Sequence, residues 1–217
     1  THSSGDATQV MLTRGYWIGQ TEVTQAQWQA VIEHVPVPSF FKGSERPVER
    51  VAWDTAMVFC RRLTERERAG GRLPPGYVYT LPTEAQWEYA CRAGTTGSYA
   101  GAIDEMAWHH GNSGGQSQRV AQKQPNEWGL HDMHGNVLEW CADWYGGYAG
   151  GRVEDPAGPA VGQFRVARGG TWAGDVGLCR SALRVWGSPI TTANNLGFRV
   201  ALAPEVPAPA AVKSGRE

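Results

Sequence analysis

The residues best suited to redox, nucleophilic or metal chemistry in this sequence are its four cysteines and six histidines. Cys60, Cys91, Cys141 and Cys179 lie far apart and no CxxC pair occurs, so no structural zinc site is expected. Four is also too few for a disulfide-stapled secreted scaffold, and buried free thiols are the expected state. His109 and His110 are adjacent, which in a strand sends them to opposite faces. His131 and His134, in HDMH, fall in an expected loop. Hydrogen-bonded structural histidines are therefore expected, not a zinc or iron cluster.

The elements that must position these groups are short. Thr24 and Gln27 form a T-x-x-Q capping box followed by Trp28, Val31 and Ile32 on one face. Asp54 is placed to cap a second helix with the stripe Ala56, Phe59, Cys60 and Leu63, its outer face carrying Arg61, Arg62, Glu65 and Arg66. Thr83 and Gln86 make a second capping box, with Trp87, Ala90 and Cys91 inward and Gly94 ending the helix. Strand signals fall at Gly15–Gln20, Tyr77–Leu81, Gln163–Arg168 and Gly197–Leu202. Asp143–Gly162, rich in Gly and Pro, reads as a functional loop or an Ω-like excursion. Three helices, small sheets and much loop give an α+β class with low regular content.

Composition agrees. Charged residues are 19 % of the chain, against 28 glycines and 10 tryptophans, a balance of turns and large aromatic anchors and not of a helical bundle. The net charge of −1 and pI near 6.6 give no basic field for nucleic acid or an anionic membrane. No apolar run approaches the roughly 18–20 residues of a membrane span, and no signal peptide is visible, so no direct membrane insertion is expected. The sequence opens on Thr1 and not on methionine, which points to an upstream segment; compartment and oligomeric state are not legible. One domain is expected over residues 11–203, with residues 1–10 frayed or linker and a Pro/Ala-rich tail over 204–217.

Six segments then occur in a recognisable order: GYWIGQTEVTQAQW from Gly15, PVERVAWDTAMVFC from Pro47, LPTEAQWEYACRAG from Leu81, PNEWGLHDMHGNVLEWCADWY from Pro125, RVARGGTW from Arg165 and NNLGFRVAL from Asn194. Together they resemble the formylglycine-generating-enzyme, or sulfatase-modifying-factor, family over residues 10–203. The resemblance implies a C-type-lectin-like fold. Oxidase members of that family carry two cysteines, five positions apart, beyond a GGS-type turn, which here is Gly169-Gly170-Thr171. From that turn to Asn195 only Cys179 is present, and one thiol supplies neither a two-sulfur copper site nor an exchange pair. Non-enzymatic function is the expectation. Relatives that use iron draw on an added histidine-rich bundle absent here. The resemblance also implies a calcium site at Asn136 and Glu139, the one cofactor expected as possible and not as required. Buried structural roles are expected for Trp128, Trp140 and Trp144, with Trp172 partly exposed.

The ends of Arg165–Leu202 match the family, whereas its interior resembles the variable region of proteins diversified by retroelements, which share this fold. There, template Asn codons are converted to codons ending in C or T. The corresponding slots are Ala173, Gly174, Asp175, Gly177, Leu178, Leu183, Val185, Gly187 and Ser188, then Ile190, Thr191 and Thr192. Lys, Glu, Gln and Met, which such codons do not encode, make up 32 of the 217 residues yet none occurs from Ala173 to Asn195. Trp186 departs from the pattern. The expected binding face joins Trp172 and Trp186 to these slots and takes a protein or other macromolecular ligand, with Cys179, Ala182 and Phe198 as inward anchors. The competing readings are a family enzyme of unassigned chemistry and a non-catalytic regulatory paralogue.

Overall fold

In the computed structural model, which describes residues 8–148 and 150–205, the two capping boxes open helices as their spacing requires. The Thr24 hydroxyl accepts from Gln27 N–H while the Gln27 amide oxygen accepts from Thr24 N–H, starting α1 (Gln25–Val31). Thr83 and Gln86 repeat the arrangement at α3 (Glu84–Arg92). Between them runs α2 (Trp53–Ala69), whose N-cap is Ala52 with no side-chain bond. Asp54 lies instead in its first turn, where a negative charge favours the helix N-terminus. Ala56, Phe59 and Cys60 are buried as expected. The fourth buried position is Thr64 and not Leu63: its hydroxyl donates to Cys60 O and accepts from Tyr79 N–H, a link between helix and sheet that periodicity does not show. The left-handed residue ending α3 is Ala93, with Gly94 following it in the same region of φ. A short α4 (Ile103–Met106) was not expected.

The strands are β1 (Gln9–Met11), β2 (Trp17–Ile18), β3 (Tyr77–Thr80), β4 (Leu138–Trp144), β5 (Arg152–Glu154), β6 (Arg165–Arg168), β7 (Val185–Gly187), β8 (Leu196–Gly197) and β9 (Ala201–Pro204). They form a four-stranded sheet β7-β6-β4-β8, an antiparallel trio β2-β9-β3 and a parallel pair β1-β5. The expected strand Gly197–Leu202 is thus two strands in different sheets, with buried Phe198 and Arg199 at the crossing. Gln9 and Val10, expected to fray, are paired to Arg152 and Val153. Pro204, expected to begin the tail, ends β9, and Glu205 N–H donates to Gly76 O. Residues 1–7 and 206–217 lie outside the described residues.

The four-stranded sheet separates two cores. Trp140 and Ala167 face α1 and α2, where Trp28 stacks on Phe59 at 5.7 Å and Phe198 meets both rings edge-on. Cys141 and Val166 face α3 and pack with Trp87, Ala90 and Cys91. Trp140 is fully buried, as expected, while Trp144 is half-buried and Trp128 is 48 % exposed against Tyr89. The half-buried Trp144 shares the Arg165 guanidinium with Trp53, at 3.4 and 3.6 Å from the ring centres. Among the described residues, no helix is long and apolar enough to cross a membrane.

Candidate ligand-binding face

The candidate face begins at a turn only glycine can make. Gly169 and Gly170 have φ of +104° and +83°, and a Cβ on Gly170 would lie 2.7 Å from the Cys179 sulfur and 2.8 Å from Leu178 O. Beyond the turn, Trp172 is tied at both ends: its backbone N–H donates to Asn136 O and its indole N–H to Asn194 O. A 3-10 turn (Val176–Cys179) then drops Cys179 into the interior. Beneath it the fully buried Arg168 donates to Ser181 O and Ala182 O and is neutralised by Glu84 and Glu88. The far side is held where Trp53 N–H donates to Pro189 O, Arg50 N–H to Ala193 O and Leu138 N–H to Asn195 O. The segment is irregular, yet its two edges and its floor are fixed.

None of the expected face residues is buried. Ala173, Asp175, Gly177, Leu178, Trp186, Ile190 and Thr192 are exposed, and Trp172, Gly174, Leu183, Val185, Gly187, Ser188 and Thr191 are half-buried. The structure does not bring them onto one plane. Ala173, Leu178, Leu183 and Val185 line a shallow depression of about 270 Å³ with Leu138 and Asn195. Trp186 points to the other side of β7, against Phe164 at 4.4 Å and Tyr145 at 6.2 Å. Val185 also packs on the larger core, so it is not the freely exposed slot expected of it. Of the expected anchors, Cys179 and Phe198 are buried, but Ala182 is exposed; Ser181, fully buried, takes the inward place. The sequence reading also missed Phe40 and Phe41. Phe41 meets Trp172 edge-on at 5.2 Å and Phe40, 60 % exposed, continues the row at 5.0 Å. Two adjacent phenylalanines in a polar, Pro-containing stretch were the available signal.

The groups that could do chemistry are engaged elsewhere. All four cysteines are free and buried, and burial pushes the Cys179 thiol up to about 11. His134 is held neutral by burial, its Nδ1 bonded to Cys179 O and its Nε2 accepting from Ala100 N–H. His131 Nδ1 is bonded to Lys123 O, and His109 bridges Asp104 and Gly111 N–H. Asn136 and Glu139, the expected calcium residues, both have protein partners. Both Glu139 oxygens are taken by Arg199 at 2.6 Å, one of them also by Trp87 Nε1, and Asn136 Oδ1 accepts from Gln118 N–H. Glu22 and Asp132 crowd the same buried region, where burial raises Glu22 well above the usual carboxyl range and Asp132 to about 6. The one oxygen of that carboxyl group left without a partner is Asp132 Oδ1.

Residues 2–204 match the sulfatase-modifying factor enzyme 1-like domain. The chain belongs to that family. Its α+β arrangement is the C-type-lectin-like fold of sulfatase-modifying factor domains. A chaperone protein, LppX, of Paenibacillus barcinonensis is 32 % identical over 74 % of this chain and 70 % of its own length. A formylglycine-generating enzyme of Streptomyces coelicolor is 34 % identical over 71 % of this chain, which spans 52 % of that protein. Among solved structures, variable protein 1 of Treponema denticola superposes with a TM-score of 0.82 at 35 % identity, over 90 % of this chain and 86 % of that one.

Proposed function

We propose that this sulfatase-modifying factor domain is a non-catalytic ligand-binding module. Its diversified surface, within residues 172–192, is presented to a protein or other macromolecular ligand. The observation that carries the reading is a division within the segment: no proposed slot is buried, while the frame around the slots, Gly169-Gly170, Cys179, Ser181 and Leu196–Arg199, is glycine turn or buried. Such a division lets side chains change without disturbing the strands beneath. The nearly full-length similarity to a variable protein supports the same reading. Leu178, Trp186 and Ile190 are each left with large apolar area in water, available to a partner's apolar groups.

Two measurements test it. The coding DNA should be accompanied by an imperfect copy of the Arg165–Leu202 segment beside a reverse transcriptase gene. A library randomised at Ala173, Asp175, Gly177, Leu178, Trp186, Ile190 and Thr192 should remain protease-resistant in most members. A library in which only near-parental sequences fold would remove the proposal. The second reading, an enzyme of unassigned chemistry or a regulatory paralogue, is favoured by the 34 % identity to a formylglycine-generating enzyme. It would be supported by a sulfatase gene as neighbour in place of the repeat.

A further inference from the structure

A larger concavity lies away from the proposed slots. The segment 8–16 and the excursion 143–159 are zipped together by β1 and β5, by Thr13 N–H donating to Asp155 Oδ1, and by Asp155 N–H donating to Met11 O. This ribbon stands off from the outer side of α3, and between them is a cavity of about 1230 Å³. That is enough for a drug-sized molecule or a long acyl chain, since small-molecule sites commonly span ~300–1,000 Å³. Its ribbon side is largely apolar, with Val10, Leu12, Val153, Pro156, Ala157 and Pro159 on the lining. An apolar body is therefore the part of a ligand these walls fit.

The charges along the cavity specify the other end. Arg184 donates to both oxygens of Glu84 at 2.6 and 2.7 Å, its guanidinium lying over the Tyr148 and Tyr145 rings, and Tyr148 OH donates to Glu84 as well. Glu88 is paired to Arg92 and to the buried Arg168. Glu84 and Glu88 are thus shared among Arg184, Arg92 and Arg168, and neither acid faces the space without a cation. Asp143, only 4 % exposed, accepts from Glu84 N–H. Asp155, on the ribbon, is bonded to Thr13, which together with the Arg14 charge holds its carboxyl below the usual range. Arg14 is an exposed residue on the lining whose charge reaches Asp155 but which, among the described residues, no carboxylate pairs with directly. An exposed cation on the lining of a largely apolar cavity is complementary to an amphiphile carrying an acid group.

We propose that this cavity is a second binding site, for an apolar molecule bearing a single carboxylate, with its hydrocarbon body between ribbon and α3 and its acid on Arg14. The site uses none of the diversified slots. Arg184, which falls within the same stretch of sequence, turns toward this cavity and is held by Glu84, so the two sites stand or fall separately.

The test is displacement of the fluorescent probe 8-anilinonaphthalene-1-sulfonate from the whole chain by dodecanoate, dodecanol and dodecylammonium, below their micelle concentrations. Dodecanoate is expected to displace the probe at least about tenfold more strongly than the alcohol, as one charge-assisted contact allows, and the ammonium to be weakest. Arg14→Gln should bring acid and alcohol level. Ala157→Trp, at an exposed position on the lining, should narrow the cavity and weaken displacement with an unchanged melting point; Leu12→Trp should do the same from the neighbouring segment of the ribbon. Three results would each overturn the proposal: no displacement by dodecanoate, equal affinity for all three head groups, or displacement that neither tryptophan variant alters.

Discussion

Replacing Asp143 by asparagine should stabilise the domain, and only above a definite pH. Asp143 is nearly inaccessible on β4. Burial lifts its acid from 3.8 to about 7, the Glu84 charge adding to the rise while the Glu84 N–H and Arg184 act against it. A carboxyl group with a raised pKa in the folded state binds its proton more tightly there than in the unfolded chain. Stability is therefore lost as pH rises through the window from about 4 to about 7, and is level on either side of it. At about 1.4 kcal/mol per unit of pKa, the full displacement is worth on the order of 4 kcal/mol at pH 8. Asparagine keeps the shape and the oxygen that accepts from Glu84 N–H, and carries no charge to bury. The variant should match the parent near pH 4 and exceed it by ~1–4 kcal/mol at pH 8. Urea unfolding followed by tryptophan fluorescence across that range measures the difference. Asp132 and Glu22 contribute slopes of their own, which cancel when variant is subtracted from parent. A difference that is flat with pH, or a variant less stable than the parent at pH 8, would refute the reasoning.

Trp87→Ala removes a fully buried indole and its bond to Glu139, and should cost ~3–5 kcal/mol; melting within a degree or two of the parent would show that the second core is misassigned. Incubated with copper, oxygen and a cysteine-containing sulfatase peptide, the protein should give no formylglycine by mass spectrometry, because Cys179 has no partner thiol and lies inside; turnover lost in Cys179→Ser would reverse that. Calcium remains a proposal for the region of Asn136 and Glu139: millimolar calcium should raise the melting midpoint relative to chelator, and Asp132→Asn, which removes the orphaned carboxylate, should diminish the rise. A midpoint indifferent to both removes the ion.

What was legible in the sequence is what is local. Thr24 with Gln27, and Thr83 with Gln86, satisfy helix ends from within four residues, so the helices could be placed without tertiary information. The central strand β4 could not. Its residues alternate Leu138, Trp140, Ala142 with Glu139, Cys141, Asp143, a pattern that looks half-solvated. In the structure the acidic face is buried too, because Arg199 arrives from 60 residues away to neutralise Glu139. The same applies to the proposed binding face. Its boundaries follow from glycines and a matched ending, whereas the turning of Trp186 away from Val185 depends on which strand β7 meets, and the Phe40–Phe41 row depends on a loop more than a hundred residues earlier. The ribbon of β1 and β5 joins segments too short to read as strands alone.

The order of strands along the chain has a consequence for heredity. β8, Phe198, Arg199 and β9 are all encoded downstream of the stretch proposed to vary. Yet β9 is the middle strand of its sheet, between β2 and β3, and Arg199 is what neutralises Glu139 in the interior. A base inserted or lost while residues 172–192 are rewritten, or a stop codon created there, deletes the pieces on which the front of the molecule depends. Such a product would leave Trp17 and Tyr79 without their strand partner and Glu139 without the arginine that neutralises it, and is expected to be degraded as unfolded chain. A clean substitution leaves them in place. Under the proposed variation the architecture would act as a proofreader, admitting changes of letter and discarding changes of frame.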